Sequence, residues 1–148
     1  MTVLTAHATL EIDAPIARVW GLVRDFGAIS AWHPLVRSST IDDDGQTRPG
    51  VIRTMTMSDG AVVEERLIQF SDADAMLAYE WAGTPPVPVS ESVVRVRVES
   101  LSANRSRVSI NGEFGGEVHA VELAVQASEN MVWPAALHGL AGALAGGA

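Results

Sequence analysis

Alternation of apolar and polar residues is the main pattern along the chain, and it predicts a protein built largely of β-strands. Residues 2–13 and 90–100 alternate almost without a break, and Ser92 lies on the apolar face of the second stretch. A turn at Ser58-Asp59-Gly60 divides residues 53–70 into a hairpin, because Asp and Gly favour tight turns. Shorter stretches predict strands over residues 35–41, 75–82 and 105–114.

Apolar residues recur at helical spacing in three further segments. Residues 15–24 predict a first helix, residues 28–31 a second short turn of helix, and residues 117–144 a long C-terminal helix that Pro134 interrupts. The order is therefore one strand, two short helices, six strands and one long helix, within a single domain over residues 1–148. We expect an α+β fold in which a curved, seven-stranded antiparallel sheet wraps around the C-terminal helix.

The C-terminal helix carries two different stripes. One is bulky and consists of Trp133, Leu137, Leu140 and Leu144. The other is mostly small and consists of Val121, Ala124, Ser128, Met131, Ala135, Gly139 and Gly142. Small side chains that face a broad concave sheet leave an empty volume between helix and sheet. Alternatively, they let the helix approach the sheet closely, and the sequence leaves both interpretations open.

The hairpin over residues 53–70 places charged residues on an apolar sheet face. With a three-residue loop, we expect Met55 to face Glu65 and Arg53 to lie diagonal to Glu65. The next strand continues this row with two expected pairs, Glu65 with Tyr79 and Val63 with Trp81. This face is mostly apolar but carries an Arg, a Glu and a Tyr, as the wall of a pocket would.

Composition and charge narrow the range of functions. The chain has no cysteine, which excludes disulfides and thiolate chemistry and is typical of a cytoplasmic protein. Its net charge is −8, and this acidic balance opposes binding to nucleic acid or anionic lipid. No apolar run approaches the ~20 residues that span a bilayer, and the N-terminus does not have the pattern of a secretory signal.

Several short motifs resemble those of a known family. They are Ile12-Asp-Ala-Pro-Ile-Ala-Arg-Val-Trp20, Asp25-Phe26-Gly27, Trp32-His33-Pro34, Pro49-Gly-Val-Ile-Arg53, Asp59-Gly60, Glu65-Arg66-Leu67, Pro86-Val-Pro-Val89 and Gly139-Leu140. In combination and order, over nearly the whole chain, they resemble the polyketide cyclase/dehydrase group. That group belongs to the SRPBCC (START/Bet v 1-like) superfamily, whose domains have the helix-grip fold.

The resemblance implies a cavity between sheet and C-terminal helix that holds a small apolar or aromatic molecule. Members of the superfamily include cyclases and aromatases of polyketide biosynthesis, and carriers of lipids and hormones. By position, Glu65 and Tyr79 match pocket-lining places in plant hormone receptors, and Met131 and Ala135 match helix positions that face the ligand. The chain departs from the common pattern at Ser92, where many relatives carry an aromatic residue.

Three side chains, Glu65, Tyr79 and His33, are candidates for acid–base catalysis. Glu65 is the best general acid or base, although it also fits a buried ion pair with Arg53, or an outward position with Glu64 inside instead. Tyr79 is a candidate hydrogen-bond donor to a carbonyl or phenol, or a half-buried strand residue with no such role. His33 lies near the expected cavity mouth and titrates near neutrality, but a histidine beside a proline more often caps a loop.

The remaining cavity lining is expected from Trp32, Arg53, Met55, Val63, Trp81, Ser92, Met131 and Ala135. Neither the four scattered histidines nor the acidic turn over residues 42–45 has the spacing of a metal site, and we expect no cofactor. The favoured function is binding of a small, largely apolar or aromatic molecule by a monomer or homodimer, with polyketide cyclase/dehydratase-like acid–base chemistry. The alternative is a non-catalytic carrier or sensor of a hydrophobic ligand.

Overall fold

The computed structural model describes residues 1–42 and 45–145, so the two central residues of the turn expected over residues 42–45 lie outside the described part. The strands are β1 (Thr2–Ile12), β2 (Val36–Ile41), β3 (Ile52–Met57), β4 (Val62–Ser71), β5 (Met76–Ala82), β6 (Glu91–Ser102) and β7 (Arg105–Gly116). Helix α1 (Ile16–Val23) and a 3-10 helix (Phe26–Ala31) follow β1. The C-terminal helix comprises α2 (Val118–Ala127), a π-helical segment (Ser128–Val132) and α3 (Trp133–Ala145).

All seven strands form one antiparallel sheet in the order β1-β7-β6-β5-β4-β3-β2. The predicted α+β helix-grip architecture, with two short helices after the first strand, is therefore confirmed. The main core lies between the sheet and the helices, and Leu67, Val98, Val108, Phe114 and Val121 are almost completely buried there. Within the described residues, no helix is both long and apolar enough to cross a membrane.

The register of the hairpin between β3 and β4 differs from the expected one by two residues. Gly60 has φ 92°, as a three-residue loop requires, but the pair that closes this loop is Met57 with Ala61. Glu65 therefore lies directly opposite Arg53 and not opposite Met55. An error of two residues leaves every side chain on its predicted face, because side chains alternate with a period of two.

The pairing of β4 with β5 is also shifted by two residues. Glu65 lies opposite Trp81, and Leu67 lies opposite Tyr79, so the expected pairs of Glu65 with Tyr79 and Val63 with Trp81 are wrong. The cause is a four-residue connection after Ser71 together with a register shift between Leu67 and Gln69. Glu65 is 7% exposed and points inward, which rules out the alternative with Glu64 inside.

The C-terminal helix changes its buried face at the π-helical segment. Before it, Val121, Ala124 and Ser128 are buried as predicted, but after it the buried residues are Trp133, Ala136, Leu137, Leu140 and Leu144. Pro134 has no N–H for the helical ladder, and the widened turn immediately before it accommodates this loss. The segment adds about one residue to the turn, so Ala135 does not face the cavity as predicted, and Met131 lines the cavity but is 57% exposed.

Candidate functional site

A cavity with two adjoining lobes lies between the sheet and the C-terminal helix. The outer lobe has a volume of about 420 Å³ and the inner lobe about 70 Å³. Met55, Glu65, Tyr79 and Trp133 are among the residues that line both lobes. The walls are mostly apolar, so the few polar side chains at the junction of the lobes determine what the cavity can recognise.

An ion pair between Arg53 and Glu65 occupies the junction. Nε of Arg53 donates to Oε1 of Glu65 at 2.8 Å, and Nη2 lies 2.6 Å from the same oxygen. The two side chains are only 5% and 9% exposed. Both short contacts use Oε1, and no hydrogen bond from the described residues reaches Oε2.

The guanidinium of Arg53 packs against two aromatic rings. Its central carbon lies 3.9 Å from the ring centroid of Phe26 and 4.8 Å from that of Tyr79. Nη1 donates to the backbone carbonyl of Phe26 at 3.3 Å. These contacts fix the orientation of the guanidinium through two rings, a carbonyl and a carboxylate.

Tyr79 keeps its phenolic proton at neutral pH. Burial raises the pKa of Tyr79 well above its ordinary value of 10, and the negative charge of Glu65 raises it further. The positive charge of Arg53 acts in the opposite direction but does not cancel these effects. The hydroxyl of Tyr79 is therefore a hydrogen-bond donor and not a base.

His33 lines the inner lobe and is 5% exposed. Its Nδ1 accepts a hydrogen bond from the backbone N–H of Leu35 at 3.2 Å, as the loop-capping interpretation predicted. Burial, followed by the nearby charge of Arg53, lowers the pKa of His33 to about 4. The ring is therefore neutral near pH 7, and because Nδ1 is an acceptor, its proton lies on Nε2.

Two neutral polar side chains, Ser92 and Trp32, also line the cavity. The hydroxyl of Ser92, in the outer lobe, accepts a hydrogen bond from the backbone N–H of Trp81 at 3.0 Å. In the described part of the chain, Nε1 of Trp32 is the one side-chain nitrogen or oxygen that is both fully buried and without a hydrogen-bond partner. A buried donor without an acceptor costs roughly 1–3 kcal/mol.

Three aromatic rings form the back wall of the outer lobe. Phe114 lies 5.4 Å from Trp81 and 6.4 Å from Trp133 between ring centroids. Gly112 makes room for this row, because a Cβ atom there would lie 2.8 Å from the ring of Trp133. The outer lobe is thus shaped to hold a flat apolar or aromatic group.

The structure brings together ten of the eleven side chains expected at the site. The outer lobe contains Val63, Trp81, Ser92 and Met131, the inner lobe contains Trp32, His33 and Arg53, and both contain Met55, Glu65 and Tyr79. Ala135 lines neither lobe. The important residue that sequence reasoning missed is Trp133, because the π-helical segment that turns it inward has no clear signal except the following Pro134.

The small residues of the C-terminal helix serve both purposes considered from the sequence. Ala124 and Ser128 line the outer lobe, where their small side chains leave space. At Gly139, in contrast, any side chain would collide with the backbone carbonyl of Trp32 and the ring of Pro34. The helix therefore packs closely against the loop at Trp32 and Pro34 near Gly139, and leaves space for the outer lobe beside Ala124 and Ser128.

Metal ligation is not evident in the residues that the structure describes. No group of three or more His, Asp or Glu side chains is arranged there to hold a metal ion.

The chain is similar to a protein family and to several solved structures. The family described as "Polyketide cyclase / dehydrase and lipid transport" matches residues 4–145. No curated protein sequence gives a match. A solution NMR structure from Thermobifida fusca is 27% identical, with a TM-score of 0.81 and coverage of 93% of this chain and 90% of that one.

Two structures of lower identity share the fold. The Zhui aromatase/cyclase from a Streptomyces strain is 19% identical, with a TM-score of 0.80 over 99% of this chain and 100% of that one. Norcoclaurine synthase from Thalictrum flavum, in complex with dopamine and hydroxybenzaldehyde, is 14% identical, with a TM-score of 0.80 over 99% and 89% of the two chains.

Proposed function

Because this chain belongs to the polyketide cyclase/dehydrase and lipid transport family, we propose that it binds a small, largely apolar or aromatic molecule between the sheet and the C-terminal helix. The observation that carries the proposal is a mostly apolar cavity that one carboxylate, one phenol and one imidazole line together. The outer lobe, at about 420 Å³, falls within the range of about 300–1,000 Å³ that is usual for small-molecule sites.

We further propose acid–base chemistry of the cyclase or dehydratase type at the junction of the lobes. Oε2 of Glu65 is the proton acceptor, since Tyr79 and His33 both hold their protons near neutral pH. Those two groups then act as hydrogen-bond donors to the developing negative charge. In ring closure Glu65 removes a proton from the carbon beside one carbonyl, that carbon forms a C–C bond to a second carbonyl carbon, and the proton passes to the resulting alkoxide. In dehydration Glu65 removes a second proton from the same carbon, the C–O bond breaks, and this proton leaves with the hydroxyl group as water.

The fold neighbours support this proposal in a limited way. One of them is an aromatase/cyclase, and another holds dopamine and hydroxybenzaldehyde, which are small aromatic molecules. Carriage of a hydrophobic ligand without catalysis is the second candidate. It is favoured by the Arg53–Glu65 pair, whose charges already compensate each other without a ligand.

Binding is tested with the apolar fluorescent probe ANS and with native mass spectrometry of the purified protein, which detects a co-purified molecule. Ala127→Phe places a ring in the outer lobe, whereas Gln126→Phe places one on the exposed side of the same helix. We expect the first variant to weaken ANS binding at least fivefold and the second to leave it unchanged. Equal ANS binding by both variants contradicts the proposed cavity site.

Catalysis is then tested with the molecule that co-purifies. A cyclase or dehydratase gives turnover whose rate depends on pH, and Glu65→Gln abolishes it. A carrier binds the same molecule and returns it unchanged at every pH.

A further inference from the structure

Arg53 is the only arginine among the described residues that line the cavity, and its hydrogen-bonding capacity is largely used. Nε and Nη2 are directed at Oε1 of Glu65, Nη1 is directed at the carbonyl of Phe26, and the rings of Phe26 and Tyr79 pack against the guanidinium. A carboxylate ligand would therefore have to displace Glu65 to reach this cation. Arg53 is not arranged as a receptor for anions.

Glu65 is equally poorly arranged as a receptor for cations. An ammonium group near Oε2 would join a pair that is already neutral, and it would lie close to the positive charge of Arg53. The other ionisable groups of the two lobes are His33, Tyr79 and, in the outer lobe, Asp59. Neither His33 nor Tyr79 carries a charge at neutral pH, and the exposed Asp59 lies in the hairpin turn, where its Oδ1 accepts a hydrogen bond from the backbone N–H of Ala61. Among the described residues, Glu65 is the one carboxylate that lines the inner lobe.

Neutral donors, in contrast, face the inner lobe. Nδ1 of His33 is held by the backbone N–H of Leu35, which fixes the ring and directs the Nε2 proton away from the loop. Nε2 has no partner among the described residues, and it does not belong to the fully buried, unpartnered atoms. It is therefore accessible from the lobe, as is the wall that carries the hydroxyl of Tyr79.

We propose that the site selects an uncharged ligand whose polar end is a carbonyl-type oxygen, bound in the inner lobe by the Nε2–H of His33 and the hydroxyl of Tyr79. The apolar or aromatic body of the ligand occupies the outer lobe. Carboxylates and amines of the same shape are rejected, because the Arg53–Glu65 pair offers neither of them a free counter-ion. This inference rests on the proposed ligand-binding function and specifies the chemistry that the site accepts.

The test uses four naphthalenes that differ only in one substituent. Acetonaphthone carries a carbonyl, naphthoate a negative charge, naphthylmethylamine a positive charge, and ethylnaphthalene no polar group. Binding to the full chain is measured at about pH 7 by quenching of tryptophan fluorescence, which Trp32, Trp81 and Trp133 make sensitive to the cavity. We expect naphthoate and naphthylmethylamine to bind at least tenfold more weakly than acetonaphthone.

Two substitutions at His33 separate its two nitrogens. In His33→Asn the side-chain oxygen retains the acceptor for Leu35, but the donor that faces the lobe is lost. In His33→Gln a donor remains near the position of Nε2, and the acceptor for the loop is lost. We expect His33→Asn to weaken acetonaphthone about three- to tenfold and ethylnaphthalene less than twofold, as for the loss of one hydrogen bond. His33→Gln should retain the preference for the ketone.

Glu65→Gln provides an independent test of the selectivity, because it leaves Arg53 with an unpaired positive charge. In this variant we expect naphthoate to bind more tightly than acetonaphthone. If no naphthalene binds the wild-type protein, the proposed cavity function itself fails. If the naphthalenes bind but naphthoate matches the ketone, or His33→Asn weakens all four equally, the cavity remains and the inferred selectivity is overturned.

Discussion

Replacement of Glu65 by glutamine measures how much of the fold depends on the buried ion pair. The substitution preserves size and shape and removes one negative charge, so that Arg53 remains packed against the rings of Phe26 and Tyr79 without a counter-ion. Both side chains of the pair are less than one-tenth exposed, so water does not easily replace the lost partner. The loss of stability then reflects an uncompensated charge.

The magnitude follows from the geometry. Removal of one partner of a buried ion pair generally costs about 3–5 kcal/mol. The introduced glutamine would still offer one carbonyl oxygen to Arg53, and both ring contacts remain, so the expected loss lies near the lower limit, at about 3 kcal/mol. Replacement of the whole pair, as in Arg53→Met with Glu65→Leu, should recover most of this stability because no charge remains buried.

Urea unfolding monitored by tryptophan fluorescence provides the assay. With a slope of about 1–3 kcal/mol per molar urea, the midpoint should fall by roughly 1–3 M. Glu80→Gln is the matched control, since Glu80 pairs with Arg66 at 2.9 Å across β4 and β5, but with side chains 36% and 41% exposed. We expect this control to lose less than about 1 kcal/mol. Equal losses in both variants would show that water in the cavity solvates Arg53, and would refute the burial argument.

Two further predictions concern the same cavity. The pKa of His33, which lies beside Arg53, Glu65 and Tyr79, is lowered to about 4 in the native protein. The unfolded chain therefore binds a proton at this residue more readily than the native protein does. The free energy of unfolding should fall by roughly 3 kcal/mol between about pH 6.5 and pH 4 and change little below that. Urea melts at about pH 7 and pH 4.5 should show a smaller fall in His33→Gln. Gly112→Ala should lose about 1–3 kcal/mol and weaken ANS binding, because the new methyl group would lie 2.8 Å from the ring of Trp133. Gly21→Ala is the control, because a Cβ atom at Gly21 would have no neighbour within 4 Å, and we expect it to lose neither stability nor ANS binding.

The fold could be predicted from the sequence because alternation records which face of each strand is buried. Because the alternation has a period of two, an error of two residues in the register changes the cross-strand partners but leaves each side chain on the same face of the sheet. Both hairpins illustrate this: the cross-strand partners of Glu65 in the structure differ from the predicted ones, but its side chain points inward as predicted. The four-residue connection after Ser71 and the irregularity in β4 leave no mark on the alternation, and this is why the register could not be counted from the sequence.

The candidate site could be predicted less completely than the fold, for two physical reasons. The π-helical segment shifts the buried face of the end of the C-terminal helix by about one residue, so that Ala136 and Trp133, and not Ala135, line the cavity. The protonation state of His33 depends on burial and on the charge of Arg53, and its tautomer depends on the hydrogen bond from Leu35. A histidine beside a proline in the sequence shows none of these. The hydrophobic pattern predicts which way a side chain points, whereas the chemistry of the site depends on contacts between residues that are distant in the chain.

The position of the ion pair argues that it is retained for more than stability. Two apolar side chains of similar volume on β3 and β4 would avoid the cost of transferring two charges from water, and buried pairs often contribute no more than such replacements. Yet the pair lies where the two lobes meet, with Oε2 of Glu65 left without a protein partner among the described residues. Under the proposed function, a neutral pair at this position would exclude charged ligands and would keep one proton acceptor next to two donors. The apolar double variant should therefore fold well but bind acetonaphthone with a smaller advantage from its carbonyl, because the guanidinium no longer packs against the ring of Tyr79 whereas the Nε2–H of His33 remains.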